Sequence, residues 1–211
     1  EILRCLVGSE MCIRDRYEVV EKFVSINGEG TKAGQLAVFI RFKGCNLNCK
    51  YCDTKWANEQ GTPSQPMTEK EILDYVLSTG VKNVTLTGGE PLLREGIENV
   101  ITVLAENNLN IEIETNGSVY LDKIRKLHKE NVTFTMDYKL SCSGMEAAMN
   151  LDNFDILNSN DTVKFVAGCR EDLIKAKQII EKYNLYGKCN LYISPVFGMI
   201  EPEEILSLIH I

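Results

Sequence analysis

The sequence predicts an α/β protein, an open partial (β/α) barrel of about six mostly parallel strands. Three observations carry that reading. Short β-branched or aromatic runs alternate along the chain with longer segments of helical period. Most of the strand-like runs lack a clean in/out alternation, as expected where helical crossovers cover both faces of a parallel sheet. Polar or glycine-rich clusters follow these runs directly, the pattern left where the carboxyl ends of parallel strands open on one face. At 211 residues the chain suffices for one sizeable core but falls short of the roughly 250 typical of a closed eight-unit barrel.

The elements follow in order. Residues 18–24 and 37–42 read as strands. Residues 68–78 read as a helix: Thr68 and Glu71 make a capping box, Ile72, Leu73, Val76 and Leu77 line one face, and Gly80 stops it. Then come strand 83–86, helix 96–107, strand 110–113, helix 122–130 and strand 132–136, followed, after an irregular stretch, by strand 162–166, helix 171–183 and strand 190–193. The run NEQGTPSQP (58–66) is a loop, and no repeat or linker divides the chain. The two ends, EILRCLVGSEMCIRDR (1–16) and LSLIHI (206–211), resemble translated sequencing-adapter read-through. Both are expected to be non-native, with the domain over 17–205 and the native carboxyl terminus missing.

Composition narrows the function. With 44% hydrophobic and 25% charged residues, the balance is that of a soluble globular protein. The absence of a signal-peptide pattern or a membrane-length apolar run leads us to expect a cytoplasmic protein. A net charge of −7 argues against a nucleic-acid surface, though not against a local pocket for a small anion. Eight cysteines without a secretory signal point to metal ligation rather than disulfides.

The cysteines concentrate in KGCNLNCKYCDT, where Cys45, Cys49 and Cys52 are spaced C-x3-C-x2-C. A structural zinc ion takes four ligands, so a distant Cys142, Cys169 or Cys189 would have to complete the set. Cys49 and Cys52 alone make C-x-x-C, a thiol–disulfide pattern that leaves Cys45 idle. A third reading is a cubane iron–sulfur cluster with three irons on thiolates and one open to a ligand. The other strand-end clusters are TGGEP (87–91), ETNGS (114–118), DYKLS (137–141) and SPVFG (194–198). Each alone is ordinary turn chemistry; together they converge on one mouth.

CNLNCKYC resembles the cluster motif of radical S-adenosylmethionine (SAM) enzymes, and TGGEP resembles their methionine-binding motif. FVSINGEGTKAGQLAVFIRFKGCNLNCKYCDTKWA, LTGGEPLL, IEIETNG, MDYKL and LYISPVFG together resemble the 7-carboxy-7-deazaguanine synthase family, over about 17–205. The resemblance implies a radical SAM-type fold and a lyase. It would convert 6-carboxy-5,6,7,8-tetrahydropterin to 7-carboxy-7-deazaguanine and ammonia, in queuosine and 7-deazapurine biosynthesis.

By that resemblance Cys45, Cys49 and Cys52 would hold a 4Fe-4S cluster. One electron from it would cleave SAM to a 5′-deoxyadenosyl radical. Tyr51, Cys52, Asp53, Gly88, Gly89, Glu114, Lys139 and Ser194 would contact SAM, with glycine allowing close backbone approach. Ile26, Asn27, Gly28, Glu29, Arg41 and Thr87 would line the substrate site, Arg41 offering a planar fork to a carboxylate. Thr54 would give its hydroxyl to Mg2+, a hard cation that favours oxygen. No residue is assigned as an acid or base. An electron donor such as flavodoxin or ferredoxin and a homodimer are implied as partners.

The chain departs from the family's pattern at Asn27, where glutamine is usual, and at Ser141 and Cys142 in KLSCSG. From sequence alone Arg41 also fits a plain ion pair, Thr54 a turn cap, Cys142, Cys169 and Cys189 small buried hydrophobes, and His128 a surface position. Two other functions stay open: an activase of glycyl-radical enzymes acting on a partner protein, and a non-catalytic iron–sulfur or zinc module.

Overall fold

The computed structural model describes residues 16–127 and 131–209. Residues 1–15, His128 with the end of its expected helix, and the last two residues of the chain lie outside the described residues. Among the described residues a single eight-stranded sheet organises the fold. Its strands are β1 (Tyr17–Ile26), β2 (Leu36–Phe42), β3 (Gln65–Met67), β4 (Asn83–Gly88), β5 (Asn110–Thr115), β6 (Val132–Tyr138), β7 (Thr162–Ala167) and β8 (Asn190–Pro195), in the order β3-β1-β2-β4-β5-β6-β7-β8. The run from β2 through β4 to β8 is parallel throughout, and it is the expected set of strands. β1 and β3 extend it with an antiparallel edge.

Helices α1 (Glu69–Thr79), α2 (Ile97–Glu106), α3 (Asp122–Leu127) and α5 (Arg170–Lys182) serve as crossovers. A short α4 (Asn153–Ile156) lies in the irregular stretch before β7, and α6 (Pro202–Ile209) follows β8. The capping box of α1 forms as expected: the Glu71 backbone N–H donates to Thr68 Oγ1 at 3.2 Å, and Thr68 N–H donates to Glu71 Oε2 at 2.8 Å. Gly80 ends the helix in the left-handed conformation. Leu77, expected on the buried face of α1, is instead half exposed.

One expectation fails instructively. The strands do alternate, because only one face of the parallel sheet is covered by helices. Ile40, Phe42, Leu86, Ile111, Ile113, Phe134, Met136, Val163 and Phe165 are buried with Ile72, Val100, Ile101, Leu104, Leu173 and Ala176 in one core. Each such side chain contributes about 1.5–3 kcal/mol by leaving water. Successive side chains on a strand point to opposite faces, so the intervening residues face the inside of the barrel, and apart from Phe39 and Val166 those that line the cavity are mostly polar. Register sets Arg41 beside Thr87, Thr85 beside Glu112, Glu114 beside Thr135, and Asp137 beside Lys164.

The antiparallel edge has a second effect. Ile26 pairs with Leu36, the first residue of β2, so the loop 27–35 lies at the amino ends of the parallel strands. From there it folds beneath the barrel interior. Asn27 donates to Glu112 on β5, Lys164 on β7 pairs with Glu29, and Tyr192 on β8 donates to the Gly30 carbonyl at 3.2 Å. Gly30 has φ +64° and sits so close to Glu112 and Thr135 that a Cβ would collide with both. The loop is the floor of the barrel.

Candidate active site

The cysteine loop leaves β2 at Lys43 and is pinned on three sides. Glu90 N–H donates to the Gly44 carbonyl at 2.9 Å, Asn58 Oδ1 accepts from Gly44 N–H at 3.0 Å, and Lys50 N–H donates to the Ser143 carbonyl at 3.0 Å. Gly44 takes φ +92°, and a Cβ there would press on the Arg94 guanidinium. Cys45, Cys49 and Cys52 are free thiols lining one cavity. Among the described residues, only Cys142, Cys169 and Asp172 form a trio with all ligand atoms within 4.8 Å of one another. The three loop sulfurs do not all lie within that distance of one another. Leu47 N–H lies 3.4 Å and Asn116 Nδ2 3.6 Å from Cys45 Sγ, donors of the kind that tune a metal-bound thiolate.

The cavity measures about 730 Å3, within the range of small-ligand sites. Its wall brings together Gly28, Glu29, Arg41, Tyr51, Asp53, Thr54, Thr87, Gly88, Gly89, Glu114, Lys139 and Ser194 with the three cysteines. Lys139 Nζ binds Asp137 Oδ2 at 2.7 Å. Burial lowers the affinity of Lys139 for its proton, but Asp137, Cys49 and Cys52 outweigh it, and the ammonium is held above its ordinary range. Burial pushes the Cys49 thiol up, and Lys139 opposes that push. Asp137 Oδ1 is buried without a hydrogen-bond partner, a position that a donor group on a bound ligand would satisfy.

Deeper in, burial pushes Glu114 up to about 7 against the hydrogen bond from Thr87, with Glu29 and Glu112 adding to the push. Burial also raises Glu112, although Thr135 and Asn27 donate to it. Arg41 donates from Nε to Glu21 at 3.0 Å, so the ion pair forms and its terminal nitrogens are what it offers the cavity. The Thr54 hydroxyl does not cap the following turn; it lies 3.7 Å from Cys52 Sγ.

Several expectations are corrected. Ile26 does not line the cavity: it is the last residue of β1, beyond the stretch paired with β3, and is 64% exposed. Asn27 is buried but stands behind the wall, its side chain donating to Glu112 and accepting from Glu29 N–H. Gly88 and Gly89 are required by the backbone itself, since a Cβ at either would collide with the Phe42 or Gly44 carbonyl. Cys189 is buried as expected, but Cys142 and Cys169 are half-buried and touch.

The sequence reasoning missed Asn58, Asn116, Asp137, Lys164 and Glu90. Glu90 is fully buried; its carboxylate accepts from Asn116 N–H, Thr115 Oγ1 and Leu92 N–H, holding the ETNG loop against the cysteine loop. The alternation E-x-E-x-N over 112–116 and D-x-K over 137–139 could have located Asn116 and Asp137.

A parallel half-barrel whose first loop carries three spread thiols over a polar cavity defines a radical SAM enzyme. A family model described as the Radical SAM superfamily matches residues 39–139, and this superfamily uses a 4Fe-4S cluster and SAM. The 7-carboxy-7-deazaguanine synthase of Clostridium acetobutylicum is 60% identical over 191 residues, covering 90% of this chain and 86% of that protein. The synthase of Chlorobaculum tepidum is 35% identical, covering 88% and 82%. The chain belongs to the 7-carboxy-7-deazaguanine synthase family. The crystal structure of QueE from Escherichia coli shares the fold at a TM-score of 0.72 and 21% identity, covering 92% of this chain and 88% of that one.

Proposed function

We infer that the chain converts 6-carboxy-5,6,7,8-tetrahydropterin to 7-carboxy-7-deazaguanine and ammonia, as a carbon–nitrogen lyase of queuosine and 7-deazapurine biosynthesis. The observation that carries this is the match to named synthases across 90% of the chain. The cavity supports it, its volume of about 730 Å3 lying in the range of small-molecule sites.

When bound, the cluster and SAM supply the electron and the hydrogen-abstracting radical that start the reaction on the pterin. The chain's own side chains bind, orient and shield. Cys45, Cys49 and Cys52 hold the cluster, with Asn116 and Leu47 N–H donating toward Cys45. Tyr51, Asp53, Gly88, Gly89, Glu114, Lys139 and Ser194 face SAM, and the unsatisfied Asp137 oxygen is an acceptor beside them. Arg41 takes the substrate carboxylate on its free fork. Gly28, Glu29 and Thr87 bound the ring from the floor side, where Lys164 keeps Glu29 in place.

Thr54, whose hydroxyl makes no capping bond, would hold a Mg2+ ion through that oxygen, and the ion would supply positive charge to offset the substrate carboxylate. A flavodoxin or ferredoxin class donor would supply the electron. Pairing into a homodimer gives the exposed Tyr192, Phe197 and Met199 near β8 a cover. No helix among the described residues is long and apolar enough to cross a membrane, and we place the reaction in the cytoplasm.

The test is an anaerobic assay of the reconstituted chain with reductant, SAM, Mg2+ and carboxytetrahydropterin. Formation of the deazapurine with ammonia is expected. A competent cluster that cleaves SAM yet gives no product would overturn the substrate assignment.

A further inference from the structure

One cluster of reactive side chains stands outside the cavity wall. Cys142, in the turn after β6, and Cys169, at the cap of α5, bring their sulfurs to 2.8 Å, and neither is in a disulfide. Asp172, on the first turn of α5, completes a trio with ligand atoms all within 4.8 Å of one another. Such a trio can be read as a metal site or as a dithiol, and Asp172 decides between them. Its carboxylate accepts from Ser141 Oγ at 2.7 Å, from Cys142 N–H at 3.1 Å and from Gly168 N–H at 2.9 Å. It is fully buried, and it brackets the two loops together. A metal ion would have to break that bracket, and a trio still leaves a tetrahedral ion one protein ligand short.

Cys142 Sγ faces Cys169 Sγ and Asp172. Gly168 lets them meet: a Cβ there would lie 2.9 Å from Cys142 Cβ and 3.0 Å from Met199 Cε, so any side chain would wedge the loops apart. Both cysteines are half-buried, which leaves them open to a small reagent. We propose that Cys142 and Cys169 form a redox-active dithiol that closes reversibly to an intramolecular disulfide and clamps the loops after β6 and β7 at the cavity mouth.

The co-reactant is a small disulfide of the glutathione class. Cys169 attacks one of its sulfurs, giving a mixed disulfide and releasing one thiol. Cys142 then gives up its proton and attacks Cys169 Sγ, forming the protein S–S bond and expelling the second thiol. Two electrons pass from the protein to the co-reactant, and the two thiol protons end on the two released thiols. Cys142 acts second because burial, with hydrogen bonds to Cys169 and Asp172, pushes its thiol up to about 12.

The clamp reaches the cysteine loop through two bonds. The Ser143 carbonyl, beside Cys142, accepts from Lys50 N–H at 3.0 Å. The Val166 carbonyl, near Cys169, accepts from Tyr51 Oη at 3.1 Å. Closing the disulfide therefore stiffens both supports of the loop while leaving its three thiols untouched.

The test treats the full, cluster-reconstituted chain with glutathione disulfide under anaerobic conditions, alkylates it natively and maps its peptides. The expected product is a Cys142–Cys169 linked peptide pair, lighter by two hydrogens, reversed by dithiothreitol, with visible cluster absorbance retained. Tm should rise by about 5 °C or more, an increment lost in Cys142→Ser and Cys169→Ser. Peptide mapping of the unsubstituted chain stands even where a variant fails to fold. Glutathione adducts without the link, or a link from either residue to Cys45, Cys49 or Cys52, would overturn the proposal. So would stoichiometric zinc that protects the pair from alkylation, which would make the trio a metal site.

Discussion

Cys49 sits deepest of the three loop thiols, and its surroundings differ from those of Cys142. Burial pushes both thiols up, but at Cys49 Lys139 opposes that push, whereas at Cys142 Asp172 adds to it. Cys49→Ala should leave the fold intact by circular dichroism but strip most iron and sulfide after reconstitution. Cys189→Ala should keep both, and normal iron in the first variant would sink the ligand assignment. Thr54→Val keeps the β-branched shape without the oxygen, so stimulation of turnover by Mg2+ should fall severalfold at unchanged cluster content; titrating Mg2+ against both proteins checks it. Glu114 makes a different kind of prediction. Its pKa rises from about 4.5 to about 7 on folding, so between those values the native state binds more protons than the unfolded chain. Unfolding free energy from this group therefore falls as pH climbs through that window, and below it the penalty vanishes. In Glu114→Gln the loss of stability between pH 5 and pH 8 should shrink by on the order of 1–3 kcal/mol. Urea unfolding of the reduced, cluster-free protein at the two pH values measures it, and equal losses in both proteins would contradict the burial of this carboxylate.

At the scale of elements, the floor loop is held by a conformation that only glycine adopts without strain. Gly30→Ala puts a Cβ at φ +64° and against Glu112 and Thr135. It should cost about 1–3 kcal/mol in denaturant unfolding, with carboxypterin binding weakened more than SAM binding. Equal loss of both ligands would mean that the loop is not a local floor. How much of this could be read beforehand depends on what each element rests on. The α1 capping box and the strand starts were legible because they are local. Strand ends were not: Thr87, Glu114, Thr115, Asp137, Tyr138 and Ser194 read as loop but continue their strands. They are mostly polar because they face a cavity, and composition cannot separate such a residue from a turn. The same error hid the alternation and made the sheet look covered on both faces. β3 pairs Pro66 with Glu18 across a long separation, and the meeting of Cys142 with Cys169 is likewise non-local. The direction of β1 decided the rest. As an antiparallel strand it sends Asn27 to the amino ends of its neighbours, and the motif itself carries no sign of the end from which it arrives.

Taken as a whole, the molecule keeps charged groups of both signs in one low-dielectric chamber, with Arg41, Lys139 and Lys164 among Glu29, Glu114 and Asp137. Such a chamber is costly to leave partly satisfied, so ligands that complete it should act as stabilisers. The cluster-loaded protein at SAM a hundredfold above its Kd should gain about 2.7 kcal/mol, or a Tm higher by about 5–10 °C. Differential scanning fluorimetry under anaerobic conditions reads this directly, and an unchanged Tm at saturation would place SAM outside the chamber. The chamber's two ends are also built differently. Its mouth is assembled from loops scattered along the gene, from the cysteine loop to Ser194, while its floor is written by the uninterrupted stretch 27–35. Heredity acts on those two texts unequally. A change of radical machinery needs coordinated edits at distant codons, but a change of floor needs edits within one short passage. The hairpin loop is thus the part of the chamber whose own text is contiguous, although Glu112, Thr135 and Lys164 on other strands must accept whatever is written there.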